Sequence, residues 1–217
     1  MKAKTILGIG LYMGISIFQT ACSVFGIRSE ENPKYEVLLS ESNKEVRSYS
    51  SYIVAKTIVK GEFKSARSDA FRILAGYIFG DNEKKQKISM TAPVVMKNPS
   101  ENEKLAMTAP VVQSTTEEGM IMTFMMPSKY KLEDLPTPKD HRITFEEIPP
   151  KIFGVIRYSG FGSQSTNAEM AKELKTWLTT KVQYEIISEP SFAGFDPPWT
   201  IPFLRHNEMM FELRLKK

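Results

Sequence analysis

The hydrophobic pattern predicts a strand followed by a helix in the first half of the chain. The strand is Tyr52–Val59, which is rich in β-branched residues, and Gly61 interrupts it. From Ser65 to Phe79 apolar residues recur at helical spacing, which predicts an amphipathic helix. Gly80 is suited to end that helix in a left-handed conformation. We therefore expect one face of this helix to pack on a sheet.

The same order of elements returns in the second half. Ile152–Tyr158 is another apolar strand, and glycines follow at positions 160 and 162. Thr166 and Glu169 have the spacing of a capping box, which predicts a helix that runs to about Thr180. Two such halves predict an α+β fold with pseudo-twofold symmetry, in which the helices lie on a curved antiparallel sheet or open barrel. A sheet of this kind often leaves an apolar cleft.

Shorter alternating or apolar runs predict the remaining strands. They are Tyr35–Leu39, Val46–Tyr49, Met120–Met126, Ile143–Ile148, Tyr184–Ile187 and Met209–Leu215.

Six residues, Met90–Val95, recur without change at Met107–Val112. Proline has no N–H to give to a sheet, so each copy should lie at an edge, a strand start or a bulge. We expect both copies to be extended, with Val94 and Val111 largely buried. A duplicated β-ribbon with a structural role is the simpler interpretation, and direct contact with a ligand is the alternative.

The composition is that of an ordinary globular protein. The 217 residues are 41% hydrophobic and 25% charged, with a formal net charge of +4. This charge is too small to imply a nucleic-acid partner, and no run of basic residues alternates with aromatics.

The N-terminus has the features of a targeting segment. Lys2 and Lys4 precede an uncharged stretch that ends at Ala21, which is the length of a secretory signal. Small residues before the single cysteine, Cys22, resemble a bacterial lipobox, although Gln19 stands where that motif usually has Leu. We expect a signal peptide over residues 1–21, a tether over 22–33, and one domain over 34–217. A plain signal peptide with an incidental cysteine and an uncleaved anchor are the alternatives.

These features predict an exported protein that a lipid on Cys22 holds to the membrane. No Asp follows the cysteine to indicate retention in an inner membrane, so we expect an outer-membrane lipoprotein that faces the periplasm. A secreted or periplasmic protein is the alternative.

The motifs of common enzyme classes are absent from the sequence. It has no phosphate-binding glycine loop, no G-x-S-x-G elbow and no H-E-x-x-H. His141 and His206 are far apart, and Cys22 lies at the processing site, so ordinary metal-ligand spacing is absent too. We expect no enzymatic activity and no catalytic residues.

Several motifs together resemble the SOUL haem-binding protein family over nearly the whole of residues 33–217. They are Tyr35–Val37, Arg47–Tyr49, Tyr77–Asn82, Lys87–Val94, Ala193–Pro198 and Asn207–Glu208. The resemblance implies a distorted β-barrel with two helices, similar to the effector-binding domains of multidrug-responsive transcription regulators. It also implies the binding of haem or a related tetrapyrrole without enzymatic activity.

The resemblance supplies candidate binding residues but no strong iron ligand. Some animal relatives carry a His where this chain has Ser48, which leaves the adjacent Tyr49 as the iron-capable side chain at that position. For both histidines we expect surface or structural roles. Cations for the propionates and an apolar wall complete the candidate site: Arg47, Lys56, Lys64, Phe63, Phe71 and Leu74. Each has an alternative role, as solvated surface for the cations and as core for the apolar residues.

Two other functions stay open at this stage. The domain can be a binding module for another apolar, even cationic, small molecule. It can also be a structural or interaction protein whose cleft is filled by side chains.

Overall fold

The computed structural model describes residues 30–97, 119–197 and 199–216, which form ten strands and two helices. The strands are β1 Tyr35–Glu41, β2 Lys44–Tyr49, β3 Tyr52–Val59, β4 Val94–Lys97, β5 Met120–Met125, β6 Thr144–Ile148, β7 Lys151–Tyr158, β8 Tyr184–Ile186, β9 Ser191–Gly194 and β10 Asn207–Leu215. The helices are α1 Phe63–Ile78 and α2 Gln164–Thr179. Cys22 and the second copy of the repeat, Met107–Val112, lie outside the described residues.

The strands form one curled antiparallel sheet. Its order is β1-β2-β7-β10-β9-β4-β5-β3-β6, and β8 pairs with β10 beside this path. The predicted α+β class is confirmed: the sheet is a half-barrel with two helices. The two halves are also related as expected, since α1 packs on β3 and β5 while α2 packs on β7 and β10.

Side chains alternate between the two faces of this sheet, as the pleat requires. On the outer face, residues such as Ala55, Met122 and Met209 join the helices in the main core. The inner face is concave, and its side chains line a cavity. The sheet therefore separates two environments, a helix-covered core and an inner hollow. Within the part of the chain that the structure describes, no helix is long and apolar enough to cross a membrane.

The second helix begins earlier than the sequence predicts. Ser163 is its N-cap, and the Ser163 hydroxyl accepts a hydrogen bond of 3.2 Å from the backbone N–H of Thr166. The predicted capping box at Thr166 and Glu169 was therefore wrong, because Thr166 already lies in the first turn. The first helix ends as expected, and Gly80 follows it with a φ of +112°.

Of the first copy of the repeat, only Val94 and Val95 belong to a strand, although Thr91 forms an isolated bridge with Glu31. Val94–Lys97 forms β4, and it lies inside the sheet between β5 and β9. Pro93 immediately precedes the strand, so its missing N–H costs the sheet no hydrogen bond. Val94 packs against the main core with intermediate burial, and Met96 is the deeply buried residue of the strand. Strand β9 was missed, because the Ala193–Pro198 motif indicated only a turn.

Candidate functional site

The inner face of the sheet surrounds a cavity of about 470 Å³. This volume lies within the range of ~300–1,000 Å³ that is usual for small-molecule sites. Five tyrosine and phenylalanine side chains contribute to its wall, namely Tyr35, Tyr49, Tyr52, Phe153 and Phe195. The ring centroids of Tyr49 and Phe153 lie 5.6 Å apart in an edge-to-face arrangement.

A buried ion pair forms one end of the cavity. Arg47 Nη1 donates to both carboxylate oxygens of Glu208, at 3.1 and 3.0 Å, and Glu208 is fully buried. Arg47 also donates to Glu45 at 2.6 Å and to the Tyr49 hydroxyl at 3.1 Å. Burial alone lowers the pKa of Arg47, but the Glu208 carboxylate raises it above its ordinary value. Arg47 is therefore charged.

Tyr49 is a poor iron ligand in this environment. Burial raises the pKa of its phenol well above the ordinary value, and the neighbouring Arg47 only partly opposes this effect. Iron binds tyrosine as a phenolate, which is the form that burial disfavours. Tyr49 thus acts as a neutral acceptor for Arg47.

His206 belongs to the cavity wall and is not simply a turn residue. Its Nε2 lies 2.7 Å from Glu208 Oε1, and its ring stacks on Phe195 with centroids 4.1 Å apart. These contacts fix the orientation of the His206 ring. His141 is exposed, as expected. Among the described residues, no group of three or more His, Cys, Asp or Glu side chains is placed to hold a metal ion.

Two further ion pairs line the cavity. Lys56 Nζ lies 3.0 Å from Glu146, and Lys151 Nζ lies 2.8 Å from Glu212. With these pairs, each of the cations at Arg47, Lys56 and Lys151 already has a carboxylate within contact distance.

A different surface lies between α1 and the loop before α2, and we name it the inter-helix surface. It comprises Arg67, Phe192, Phe161 and Arg205, which the contacts below connect, together with Phe71, which lies one turn after Arg67 on α1. The Arg67 guanidinium lies 5.9 Å from the ring centroid of Phe192, and that of Arg205 lies 5.1 Å from the ring of Phe161. Phe161 is 69% exposed and Phe71 is 37% exposed. Aromatic rings and guanidinium groups therefore meet at a solvent-accessible place.

This surface places two guanidinium groups close enough to repel each other. Burial lowers the pKa of Arg67, and repulsion from Arg205 lowers it further. Among the residues that the structure describes, no carboxylate pairs with Arg67, whereas Arg72 on the same helix has Asp69 at 2.9 Å. A half-buried guanidinium beside a second one favours an anionic partner.

The structure divides the seven predicted binding residues between the two faces of the sheet. Arg47, Tyr49 and Lys56 line the inner cavity. The other four, Phe63, Lys64, Phe71 and Leu74, belong to α1 on the outer face. Leu74 is fully buried in the core, and Phe63 packs against it, while Lys64 and Phe71 are exposed. Because the sheet lies between the two groups, they do not form one site.

Sequence reasoning missed Arg67, Phe161, Phe192 and Arg205. Arg67 lies one helical turn from both Phe63 and Phe71, so helical spacing contained a signal for it. Nothing in the local pattern brings Arg205 to Arg67, because that contact depends on the sheet. The structure also pairs Glu208, from the Asn207–Glu208 motif, with Arg47 in a salt bridge.

Comparison with known proteins decides the family. The family model described as SOUL heme-binding protein matches residues 30–212. The chain belongs to this family. The match covers nearly all of the described residues, and it confirms the resemblance drawn from the sequence motifs.

Curated relatives in the SOUL family carry related names. Heme-binding protein 1 of Xenopus tropicalis is 29% identical over 77% of this chain and 82% of the relative. Heme-binding protein 2 of Mus musculus is 27% identical over 76% of this chain and 75% of the relative.

A solved structure extends the likeness in fold. The crystal structure of the EcmrR C-terminal domain aligns with a TM-score of 0.55 at 15% identity, covering 84% of this chain and 99% of that one. At this identity the likeness shows the fold alone.

Proposed function

We propose that this chain binds a haem-type tetrapyrrole on the inter-helix surface and performs no chemistry on it. The observation that carries the proposal is the pair of guanidiniums at Arg67 and Arg205, of which the first lies over the buried ring of Phe192 and the second over the exposed ring of Phe161. A tetrapyrrole has a flat apolar face for Phe71 and Phe161, and it has propionates for the two arginines. The names of the curated relatives support this ligand class.

The same surface fits the ring and the propionates better than it fits the iron. None of its five residues is a His, Cys, Met or Tyr, which are the usual axial ligands of haem. Burial of an apolar face supplies affinity without an iron bond, at roughly 25 cal/mol per Å². We therefore expect metal-free protoporphyrin to bind within about tenfold of haemin, a difference of about 1.4 kcal/mol.

Titration of the purified protein with haemin tests this placement. Arg67→Gln and Arg205→Gln should each weaken binding by about tenfold, because each removes a cation from the propionates. Arg72→Gln is the matched control, since Arg72 lies on the same helix but is exposed and paired with Asp69; it should bind haemin like the wild type. Equal affinity in all four proteins would contradict the placement.

Absorption spectra test the absence of histidine ligation. His141→Ala and His206→Ala should leave the spectrum of the haemin complex unchanged. A bis-histidine spectrum that disappears in either variant would refute this part of the proposal. Tyr49 lies on the other face of the sheet, so Tyr49→Phe should also leave the spectrum unchanged. Absence of saturable binding of haemin and protoporphyrin would favour another small molecule, or a structural role, instead.

We further propose that the protein is exported to the cell envelope and held there by a lipid on Cys22. The support is the uncharged N-terminal stretch and the small residues before the cysteine. Labelled fatty acid should enter the wild type but not Cys22→Ala. Equal labelling of the two would rule out this anchor.

A further inference from the structure

The lining of the inner cavity contains equal numbers of positively and negatively charged side chains. They are four cationic side chains, Arg47, Lys56, Lys97 and Lys151, and four carboxylates, Glu146, Glu189, Glu208 and Glu212. Among the described residues, the lining is thus electrically balanced, with His206 as a further polar group. Six of these eight groups form the three ion pairs described above, so a ligand with a net charge must compete with an existing pair at each of them. The balance therefore disfavours anions and cations alike.

The remaining lining suits a flat apolar molecule. Between the ion pairs lie Tyr49, Tyr52 and Phe153, together with aliphatic side chains such as Val95, Ile121 and Met210. Aromatic walls prefer to stack on or meet the edge of another ring. The cavity has a volume of about 470 Å³, which accommodates a molecule of a few fused rings.

From the cavity and its charge balance we propose a second binding site on the inner face, which takes an uncharged polycyclic aromatic molecule. The site differs from the inter-helix surface, because the sheet separates the two. The selectivity originates in the ion pairs. Arg47 already lies beside Glu208, where a ligand cation would bind. Glu212 and Glu146 already pair with Lys151 and Lys56, the lysines that would bind a ligand anion.

Three fluorescent probes with the same ring test the charge preference. They are 1-pyrenemethanol, 1-pyrenemethylammonium and 1-pyrenecarboxylate, which are neutral, cationic and anionic. The wild-type protein should bind 1-pyrenemethanol saturably with one molecule per chain, and the two charged probes at least about tenfold more weakly. No saturable binding of 1-pyrenemethanol, or tighter binding of a charged probe, would overturn the proposal.

A substitution that fills the cavity tests the location. Thr123 lies at the centre of the inner face, with Val95 and Lys56 as its register partners on the adjacent strands. Thr123→Phe should weaken 1-pyrenemethanol binding by at least tenfold. Val37→Phe is the control, because Val37 is an exposed strand residue outside the lining. An unchanged affinity in Thr123→Phe would place the probe elsewhere and overturn the proposal.

The pair Lys151 and Glu212 gives a reciprocal test that leaves the buried Arg47–Glu208 pair intact. Lys151→Gln makes the lining net negative, so it should shift the preference toward 1-pyrenemethylammonium. Glu212→Gln makes it net positive, so it should shift the preference toward 1-pyrenecarboxylate. Both side chains are partly exposed, which favours folding of both variants. If Thr123→Phe does not fold, these two variants still test the proposal. Shifts in the same direction would contradict the proposal.

Haemin distinguishes this inference from the proposed function. Arg67→Gln should lose haemin affinity and keep 1-pyrenemethanol affinity, while Thr123→Phe should do the reverse. If no variant binds haemin, the result for 1-pyrenemethanol still stands by itself. Loss of both ligands in Thr123→Phe, with both retained in Arg67→Gln, would place the tetrapyrrole in the inner cavity and refute the separation of the two sites.

Discussion

At the scale of single residues, the ion pair between Arg47 and Glu208 stands out because both side chains are buried. Glu208 has no exposed surface, Arg47 Nη1 donates to both of its carboxylate oxygens, and His206 Nε2 lies 2.7 Å from Oε1. Removal of one partner from such a pair leaves an uncompensated buried charge, whereas removal of both does not. The pair is therefore a strong test of how the inner face is stabilised.

We expect Arg47→Met to lower the free energy of unfolding by about 3–5 kcal/mol, because it strands the Glu208 carboxylate. The double variant Arg47→Met with Glu208→Gln should recover more than half of that loss. Urea denaturation of the wild type, both single variants and the double variant measures the coupling. Additive effects of the two single changes would show that the pair is not coupled.

Tyr52, which lines the inner cavity, should make the stability of the protein depend on pH. Burial raises the pKa of Tyr52 to about 12, and the carboxylates of Glu212 and Glu146 contribute to the increase. In the unfolded chain a tyrosine titrates near pH ~10, so the folded state holds the proton more tightly. The stabilisation is present below about pH 10 and is lost as the pH rises through about 12.

The free energy of unfolding should therefore fall between about pH 10 and pH 12. Tyr52→Phe removes one group that contributes to this fall, so the variant should lose less stability over the same range, by roughly 2 kcal/mol or less. Chemical denaturation at a series of alkaline pH values measures both proteins. Parallel curves would show that Tyr52 does not contribute.

The sequence predicted which kinds of side chain would form a site better than it predicted where those side chains lie in the fold. Arg47, Tyr49 and Lys56 were chosen as ligand contacts, and they do line a cavity. Leu74 was chosen as wall, but helical periodicity already places it on the buried stripe of α1, where it has no exposed surface. Arg67 and Arg205 are 138 positions apart in the sequence, and only the folded sheet brings them together.

At the scale of elements, close contacts set how the helices lie on the sheet. Gly154 lies in β7 beneath α2, and a Cβ added there would come within 2.7 Å of a Leu178 side-chain carbon. A glycine is required here because the strand and helix approach closely, although its backbone is ordinary. Gly76 in α1 has no such neighbour, since the nearest atom to an added Cβ lies at 3.9 Å.

These two glycines should respond oppositely to alanine. Gly154→Ala should destabilise the protein by about 1–3 kcal/mol, because it overpacks the contact with α2. Gly76→Ala should stabilise it by about 0.5–1 kcal/mol, because alanine loses less entropy than glycine in a helix. Thermal or urea unfolding of the two variants gives both signs. Stabilisation by Gly154→Ala would mean that α2 can move away from β7 at little cost.

Element types were predictable where the pattern was long and periodic. Strand β3 was predicted with its observed bounds, Tyr52–Val59, because β-branched residues fill it and Gly61 follows it. The start of α2 was missed because Ser163 precedes the apolar stripe by a full turn, and the pattern favoured Thr166. Strand β9 was missed because its four residues look like part of a turn until β4 and β10 pair with them.

At the scale of the whole molecule, one sheet presents two unlike faces. The outer face combines the helical core with the cationic inter-helix surface, and the inner face is a charge-balanced cavity. The pseudo-symmetric half-barrel was foreseeable from the repeated order of strand, glycine and helix. The separation of the predicted binding residues between the two faces was not foreseeable. The sequence alone does not say whether the odd-numbered or the even-numbered side chains of a strand face the helices.

Methionine methyl groups report on both faces at once. Met96 and Met209 are both register partners of Phe192, whose ring lies beneath Arg67 on the outer face. Met125 and Met210 line the inner cavity. Each pair is thus close to one of the two sites.

The most direct test is an NMR titration of the protein, labelled at its methionine methyl groups, with haemin. Ferric iron broadens nearby signals, so haemin on the inter-helix surface should broaden Met96 and Met209 before Met125 and Met210. Gallium protoporphyrin is the diamagnetic control and should shift the same signals without broadening them. If Met125 and Met210 broaden first, the tetrapyrrole lies in the inner cavity and the central claim is wrong.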